Sequence, residues 1–207
     1  MSQSGIARLA GAMYLLTVAT ALFGEGHVRS SLLVSESAAQ TARNLVDSNL
    51  LFRIGLVTEL VTFTGVAILV WALYQLLKPV DGRLAALAAF FRLIELGVHF
   101  SAVTFGVAAM SLLSGGEYVK GFGEAQLHGL VGLALRAQLA GLQIGFIPLG
   151  IGSAVFAFLL FRSGHVPRLL AAWGVIASLL LAGYAFALVI TPATSNFFYL
   201  GMVPMLI

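Results

Sequence analysis

The sequence predicts an all-α fold, a polytopic bundle of transmembrane helices. Of its 207 residues, 60% are hydrophobic and 9% are charged, whereas about a quarter of an average soluble domain is charged. So few charged residues cannot cover a soluble protein of this size, and we expect lipid to surround much of the chain. The apolar residues also fall into runs of about 20, the helix length that crosses ~30 Å of hydrocarbon.

Five apolar runs are long enough to cross a bilayer as helices. They cover residues 5–24, 51–77, 84–113, 138–161 and 169–190. Residues 124–137 also have a helical pattern that would extend the fourth span. A sixth apolar run, 197–207, has 11 residues and is too short to cross at ~1.5 Å per residue. We therefore expect five full spans and a sixth segment that is truncated, lies in the interface or re-enters the membrane. All of them belong to a single integral membrane domain of residues 1–207.

The first apolar run permits two interpretations. Arg8 precedes an apolar stretch of the length found in secretory signal peptides, and the small residues Ala19, Ala21 and Gly24 suit a cleavage site. The same stretch is also long enough for a first transmembrane helix. In either case four long spans follow.

A short amphipathic helix is predicted after the first span. Ser37 with Gln40 forms the pattern of a capping box at a helix start. Small and apolar residues follow it, namely Ala38, Ala39, Ala42, Leu45 and Val46. We interpret residues 38–46 as an interfacial helix on the outer membrane surface.

The orientation follows from the basic residues in the short connections. Lys78 and Arg83 flank the turn after the second span, and Arg162 and Arg168 flank the turn after the fourth. If five spans alternate, both turns lie on the same side as the N-terminal Arg8. Because short cytoplasmic loops are enriched in Lys and Arg, we expect this side, including the N-terminus, to be cytoplasmic.

Ionisable residues inside the third span are the strongest functional signal. Each costs at least ~2.5 kcal/mol near the bilayer centre, so such residues face the bundle interior and pair with one another. Arg92, Glu95 and His99 fall on one helical face. Arg92 and Glu95 are within reach of an ion pair, and Glu95 and His99 of a hydrogen bond. We expect these three residues to form an inner polar layer.

A second, outer polar layer is expected around Glu59. The second and third spans are expected to be antiparallel, so their residues can be compared by depth at ~1.5 Å per residue. This comparison places Glu59 roughly 18 Å from Arg92 along the bundle axis. The same count places Glu59 near Gln143. Gln138 falls on the opposite helical face from Arg136 and Gln143. The expected layer contains Arg53, Glu59, Arg136 and Gln143, roofed by Glu25, His27, Arg29 and His128.

Several segments resemble the uncharacterised bacterial family called domain of unknown function 4386. They are ARLAGAMYLL at 7–16, FGE at 23–25, VRSSL at 28–32, LFRIG at 51–55, ALYQLLKPV at 72–80, FRLIE at 91–95 and LFRSGHVPRL at 160–169. The resemblance extends from Ala7 to Ile190. It implies a membrane fold and, for a bacterial chain, the inner membrane, but it implies no activity.

The chain departs from that family in two places. The family usually has a histidine early in the fourth span, where this sequence has Gln138. It also usually ends in a full final helix with an acidic residue, which this sequence lacks. The first departure argues against a metal or proton role borrowed from that histidine, and the second indicates truncation.

Three functions remain open from the sequence. The first is a membrane protein that binds or passes a small polar or ionic ligand through the stacked polar layers. The second is a structural or accessory membrane subunit, whose charges only fix helix packing. The third is a metal-dependent intramembrane hydrolase with ligands among His27, His128, Glu25 and Glu59. Zinc needs three or four such ligands, and the sequence has no HExxH pair at helical spacing.

Other classes find little support. The chain has no cysteine, which excludes disulfides, thiolate metal sites and cysteine nucleophiles. No lysine lies in a span to carry retinal, and no glycine-rich phosphate loop or serine nucleophile elbow is present. An isolated His99 is weak evidence for haem, and a net charge of +3 gives no support to nucleic-acid binding. We therefore expect no cofactor. The expected partners are the lipid bilayer, a small ligand and further copies of the chain.

Overall fold

The computed structural model describes residues 2–34 and 37–191, and within that part every regular element is helical. The long and medium helices are α1 Gln3–Leu32, α2 Ala38–Asp47, α3 Asn49–Leu77, α4 Gly82–Leu113, α5 Glu124–Ser163 and α6 Arg168–Ile190. A 3₁₀ turn, Glu117–Val119, lies between α4 and α5. The all-α prediction is confirmed.

Five of these helices, α1 and α3 to α6, are long and apolar enough to cross a membrane. Large apolar side chains remain on their outer surfaces, for example Leu169 at 86% exposed and Leu15 at 69%. Such surfaces suit lipid and not water. Helix α5 includes the extension expected at 124–137. The expected sixth segment, 197–207, lies outside the described residues.

Helix α1 contains a π-helical segment, Gly24–Arg29, near its C-terminal end. A π-helical turn holds one more residue than an α-helical turn and occurs frequently at functional sites. The first span was predicted to end at Gly24, whereas the helix continues to Leu32. Glu25, His27 and Arg29 are therefore residues of the helix and not of a loop above it.

The predicted short helix is present as α2. Ser37 caps it, and its Oγ accepts a 3.1 Å hydrogen bond from the Gln40 backbone N–H. The Gln40 side chain donates to Asn44 Oδ1 at 3.2 Å. Thr41 and Leu45 are buried, and the Thr41 hydroxyl accepts a hydrogen bond from the Val34 backbone N–H. The location of α2 at the membrane surface stays a prediction.

The described chain divides into two compact units. The first unit comprises residues 2–13, 66–98 and 142–191. Its core contains Val70, Leu77, Ala85, Ala88, Phe156 and Leu159. At Gly150 of α5 an added Cβ would lie 2.5 Å from the Ser178 carbonyl oxygen and 2.8 Å from the Ala182 nitrogen of α6. The two backbones are thus in direct contact, the packing that small residues permit in membranes.

The second unit comprises residues 14–65 and 99–141, again among the described residues. Glycines bring its helices together. At Gly141 of α5 an added Cβ would lie 2.8 Å from Ala102 Cβ of α4. At Gly132 it would lie 2.9 Å from Ala38 Cβ, where α2 packs on α5. The expected single domain of residues 1–207 stays a prediction.

Candidate functional site

Glu59 lies at the centre of a polar cluster in the second unit. Arg29 Nη2 donates to Glu59 Oε1 at 3.3 Å, and Gln138 Nε2 donates to Glu59 Oε2 at 2.9 Å. Arg29 Nε also donates to Glu25 Oε1 at 3.0 Å. The side chains of Arg29 and Glu59 are each 14% exposed, whereas that of Glu25 is 52% exposed. These four residues, Glu25, Arg29, Glu59 and Gln138, are called the Glu59 cluster below.

Close contact between α1 and α3 brings Arg29 to Glu59. At Gly55, one turn before Glu59, an added Cβ would lie 2.7 Å from Val28 Cγ1. Val28 directly precedes Arg29 and is 2% exposed. The absence of a side chain at Gly55 therefore lets the π-helical segment approach α3 closely enough for the ion pair.

Gln138 is held in place by a second glycine. At Gly106 of α4 an added Cβ would lie 2.8 Å from Gln138 Oε1 and 2.6 Å from Leu56 Cδ2. Gln138 is 1% exposed, so its amide has little room to move. This packing directs the amide Nε2 at the Glu59 carboxylate.

A groove lies beside the cluster, with a volume of about 270 Å³ that includes the part open to the outside. Its walls are mostly apolar and contain two charged residues. The lining residues are Gly24, Val28, Arg29, Leu32, Leu33, Phe52, Gly55, Leu56 and Glu59. The groove therefore combines an apolar surface with a guanidinium and a carboxylate.

Two polar atoms of the Glu59 cluster are buried without a hydrogen-bond partner in the described chain. They are Arg29 Nη1 and Gln138 Oε1. A buried donor or acceptor that makes no hydrogen bond costs about 1–3 kcal/mol. The cluster therefore has hydrogen-bonding capacity that the protein itself does not use.

A second polar site lies in the first unit, where Arg92 and Glu95 are paired. Arg92 Nη1 lies 2.9 Å from Glu95 Oε2, and it donates to Ser153 Oγ of α5 at 3.3 Å. Arg92 is 9% exposed and Glu95 2%. An added Cβ at Gly152 would lie 2.9 Å from Arg92 Cγ. Gly152 thus lets α5 cover the arginine stem while Ser153 binds its head.

The other predicted residues have the following surroundings. His99 is 4% exposed in the second unit, with its ring centroid 5.0 Å from that of Phe63. Arg53 is exposed, and its Nε donates to Asn49 Oδ1 at 2.6 Å. Arg136 is exposed on α5. Gln143 is half-buried and belongs to the first unit, and the amide that binds Glu59 is that of Gln138.

The candidate metal ligands have other neighbours. The exposed His27 ring lies 5.6 Å from the Phe23 ring, and His128 Nε2 lies 3.9 Å from Glu124 Oε1. Glu25 binds Arg29. Across residues 2–34 and 37–191, no three His, Asp or Glu side chains are grouped closely enough to hold a metal ion.

Sequence reasoning missed Gln138 and Ser153 as members of these sites. Gln138 had one available signal, since it stands where the resembled family usually has histidine. No sequence pattern pointed to Ser153, because a lone serine in a glycine-rich apolar helix forms no motif with its neighbours. Arg29 was expected only as part of a roof above the cluster, and the structure makes it the cation that pairs with Glu59.

An all-helical chain with five span-capable helices and buried charges within them is a multi-pass membrane protein. Residues 9–207 match the family described as Domain of unknown function (DUF4386), and the chain belongs to that family. This confirms the resemblance found in the sequence. No curated protein and no solved structure matches the chain.

Proposed function

We propose that this protein is a bacterial inner-membrane protein that binds a small polar or ionic ligand at the Glu59 cluster. The observation that carries the proposal is the Arg29–Glu59 ion pair in the wall of an apolar groove. Ionisable residues inside membrane spans are costly, and they mark ligand and ion sites by default. The unused hydrogen-bonding capacity of Arg29 Nη1 supports a ligand that supplies the missing partner.

A purely structural role is the second candidate, and the Arg92–Glu95 pair favours it. Both side chains are buried, they pair with each other, and Ser153 binds the arginine. Charges arranged in this way fix helix packing without a ligand. We assign this role to the pair in the first unit and the binding role to the Glu59 cluster. Passage of a ligand between two polar layers stays a prediction.

Glu59→Gln is expected to abolish stabilisation by a bound ligand. Suitable probes are propionate, propylammonium and 1-propanol, which present an anion, a cation and a hydroxyl on one short chain. At ten times its Kd a bound probe stabilises by about 1.4 kcal/mol, which raises the melting temperature by about 3–6 °C. We expect at least one probe to produce a saturable rise for the parent protein and none for Glu59→Gln, measured by thermal unfolding in detergent.

The matched control is Glu117→Gln, which removes an exposed carboxylate from the segment between α4 and α5. This variant should respond to the probes like the parent. The binding proposal is wrong if no probe stabilises the parent, or if Glu59→Gln responds equally.

We also propose that the end of the first unit with the basic turns faces the cytoplasm. Lys78 and Arg83 flank one turn, and Arg162 and Arg168 flank the other. Arg162 Nη1 lies 3.5 Å from Asp81 Oδ2, so the two turns are neighbours within this unit. Adjacent basic turns support the positive-inside orientation.

Cysteine labelling tests this orientation directly, because the chain has no cysteine to cause background. In spheroplasts treated with a membrane-impermeant maleimide, Lys120→Cys should be labelled. His165→Cys, in the turn before α6, should be labelled only after the membrane is disrupted. Labelling of His165→Cys in intact spheroplasts, with Lys120→Cys protected, would show the opposite orientation.

A further inference from the structure

We infer that the groove beside the Glu59 cluster takes a neutral alcohol, a hydroxyl group on an apolar chain. This inference rests on the proposed function, because it names the chemistry of the ligand bound at the same cluster. Three properties of the groove carry it: the polar groups that are available, the local charge, and the apolar walls.

The polar groups call for a head that accepts one hydrogen bond and donates another. Arg29 Nη1 is a buried donor without an acceptor in the described chain. Each oxygen of Glu59 accepts one hydrogen bond, from Arg29 and from Gln138, and a carboxylate oxygen can accept a second. A hydroxyl satisfies both groups at once, because it is a donor and an acceptor. An ammonium group has no acceptor for the arginine.

The local charge disfavours an anionic head. The formal charges of Glu25 and Glu59 are −1 each and that of Arg29 is +1, so the three residues sum to −1. A carboxylate or phosphate would meet the Glu59 carboxylate in the same groove wall, and like charges repel strongly where water is scarce. A neutral head avoids this repulsion and still binds the guanidinium.

The walls of the groove determine the rest of the ligand. Val28, Leu32, Leu33, Phe52 and Leu56 present apolar surface, and Gly24 adds no side chain to fill the groove. The volume of about 270 Å³ includes space open to the outside, so the groove itself holds little more than the hydroxyl group, and the alkyl chain extends out of it. Apolar contact then supplies affinity, while the hydroxyl supplies orientation.

The test uses the full-length protein in phosphatidylcholine vesicles and an octanol that carries a photoreactive diazirine. We expect light-induced label on residues 24–33 and 52–59, located by peptide mass spectrometry. At equal membrane concentration, 1-octanol should reduce labelling at least about tenfold more effectively than octanoate, octylammonium or octane, as expected when a polar site rejects analogues without the matching group.

Two variants test the location. Gly24→Ala adds a methyl group at a residue that lines the groove, and the new Cβ would lie 3.9 Å from Thr58 Cγ2. We expect it to reduce labelling about tenfold, the effect of one methylene in an apolar pocket. Gly26→Ala is the matched control, because Gly26 lies in the same π-helical segment, is exposed, and would have nothing within 4 Å of its Cβ. It should label like the parent.

The possible outcomes separate the two proposals. If octanoate, octylammonium or octane competes as well as 1-octanol, the alcohol is wrong while binding in the groove stands. If Gly24→Ala is labelled like the parent, the alcohol does not occupy this groove. If the probe does not label the groove and none of the short-chain probes stabilises the parent, the proposed function fails as well.

Discussion

Arg92→Leu is expected to lower the free energy of unfolding by about 3–5 kcal/mol, the usual cost of removing one partner of a buried ion pair. The substitution leaves the Glu95 carboxylate, 2% exposed, without the guanidinium that lies 2.9 Å away. It also removes the donor to Ser153 Oγ. Reversible unfolding in mixed detergent and dodecyl sulfate micelles would measure the loss.

The double variant Arg92→Leu with Glu95→Leu separates the lost pair from the stranded charge. Replacing both members of a buried ion pair with apolar residues is often neutral or stabilising. We therefore expect the double variant to recover most of the stability lost by Arg92→Leu. Arg43→Leu, at an exposed site on α2, should change stability little. Equal stability of Arg92→Leu and Arg43→Leu would refute a structural role for the pair.

Gly150→Ala is expected to be the most disruptive single methyl addition in the first unit, at about 3 kcal/mol, the upper end of the usual cost of overpacking. Its Cβ would lie 2.5 Å from the Ser178 carbonyl oxygen and 2.8 Å from the Ala182 nitrogen. Those are backbone atoms, so a side-chain rotation cannot relieve the clash and α5 must move away from α6. The same micelle unfolding experiment measures the effect.

Gly183→Ala provides the comparison on α6. Gly183 is exposed and an added Cβ there has nothing within 4 Å. In a helix the change from glycine to alanine is favourable by about 1 kcal/mol when nothing clashes. Gly183→Ala should therefore be as stable as the parent or more so. If Gly150→Ala unfolded at the same denaturant concentration as Gly183→Ala, the close contact of the two helices would be wrong.

The sequence could predict what depends on a single helix. Apolar runs of sufficient length define the five span-capable helices, because only a helix satisfies its own backbone in lipid. The Arg92–Glu95 pair was also predictable, since residues three apart on a helix are neighbours whatever surrounds it. The capped start of α2 follows from Ser37 and Gln40 in the same local way.

Contacts between different helices were harder to predict from the sequence. Gln138 lies on the face opposite Arg136 and Gln143, and only the packing of α5 against Gly106 shows which face meets Glu59. The role of Arg29 was hidden by the π-helical segment, whose geometry no composition pattern indicates. Spacing along one chain segment cannot specify these contacts, because they depend on how closely two different helices approach.

The geometry of the π-helical segment, Gly24–Arg29, depends on the number of residues that it contains. The residues between Phe23 and Ser30 form a wide, π-helical turn. The last of these residues, Arg29, directs its guanidinium at Glu59. Because a π-helical turn holds one residue more than an α-helical turn, deleting one residue would leave an ordinary α-helical turn here. Such a deletion would remove the wide turn that presents the Arg29 guanidinium to Glu59.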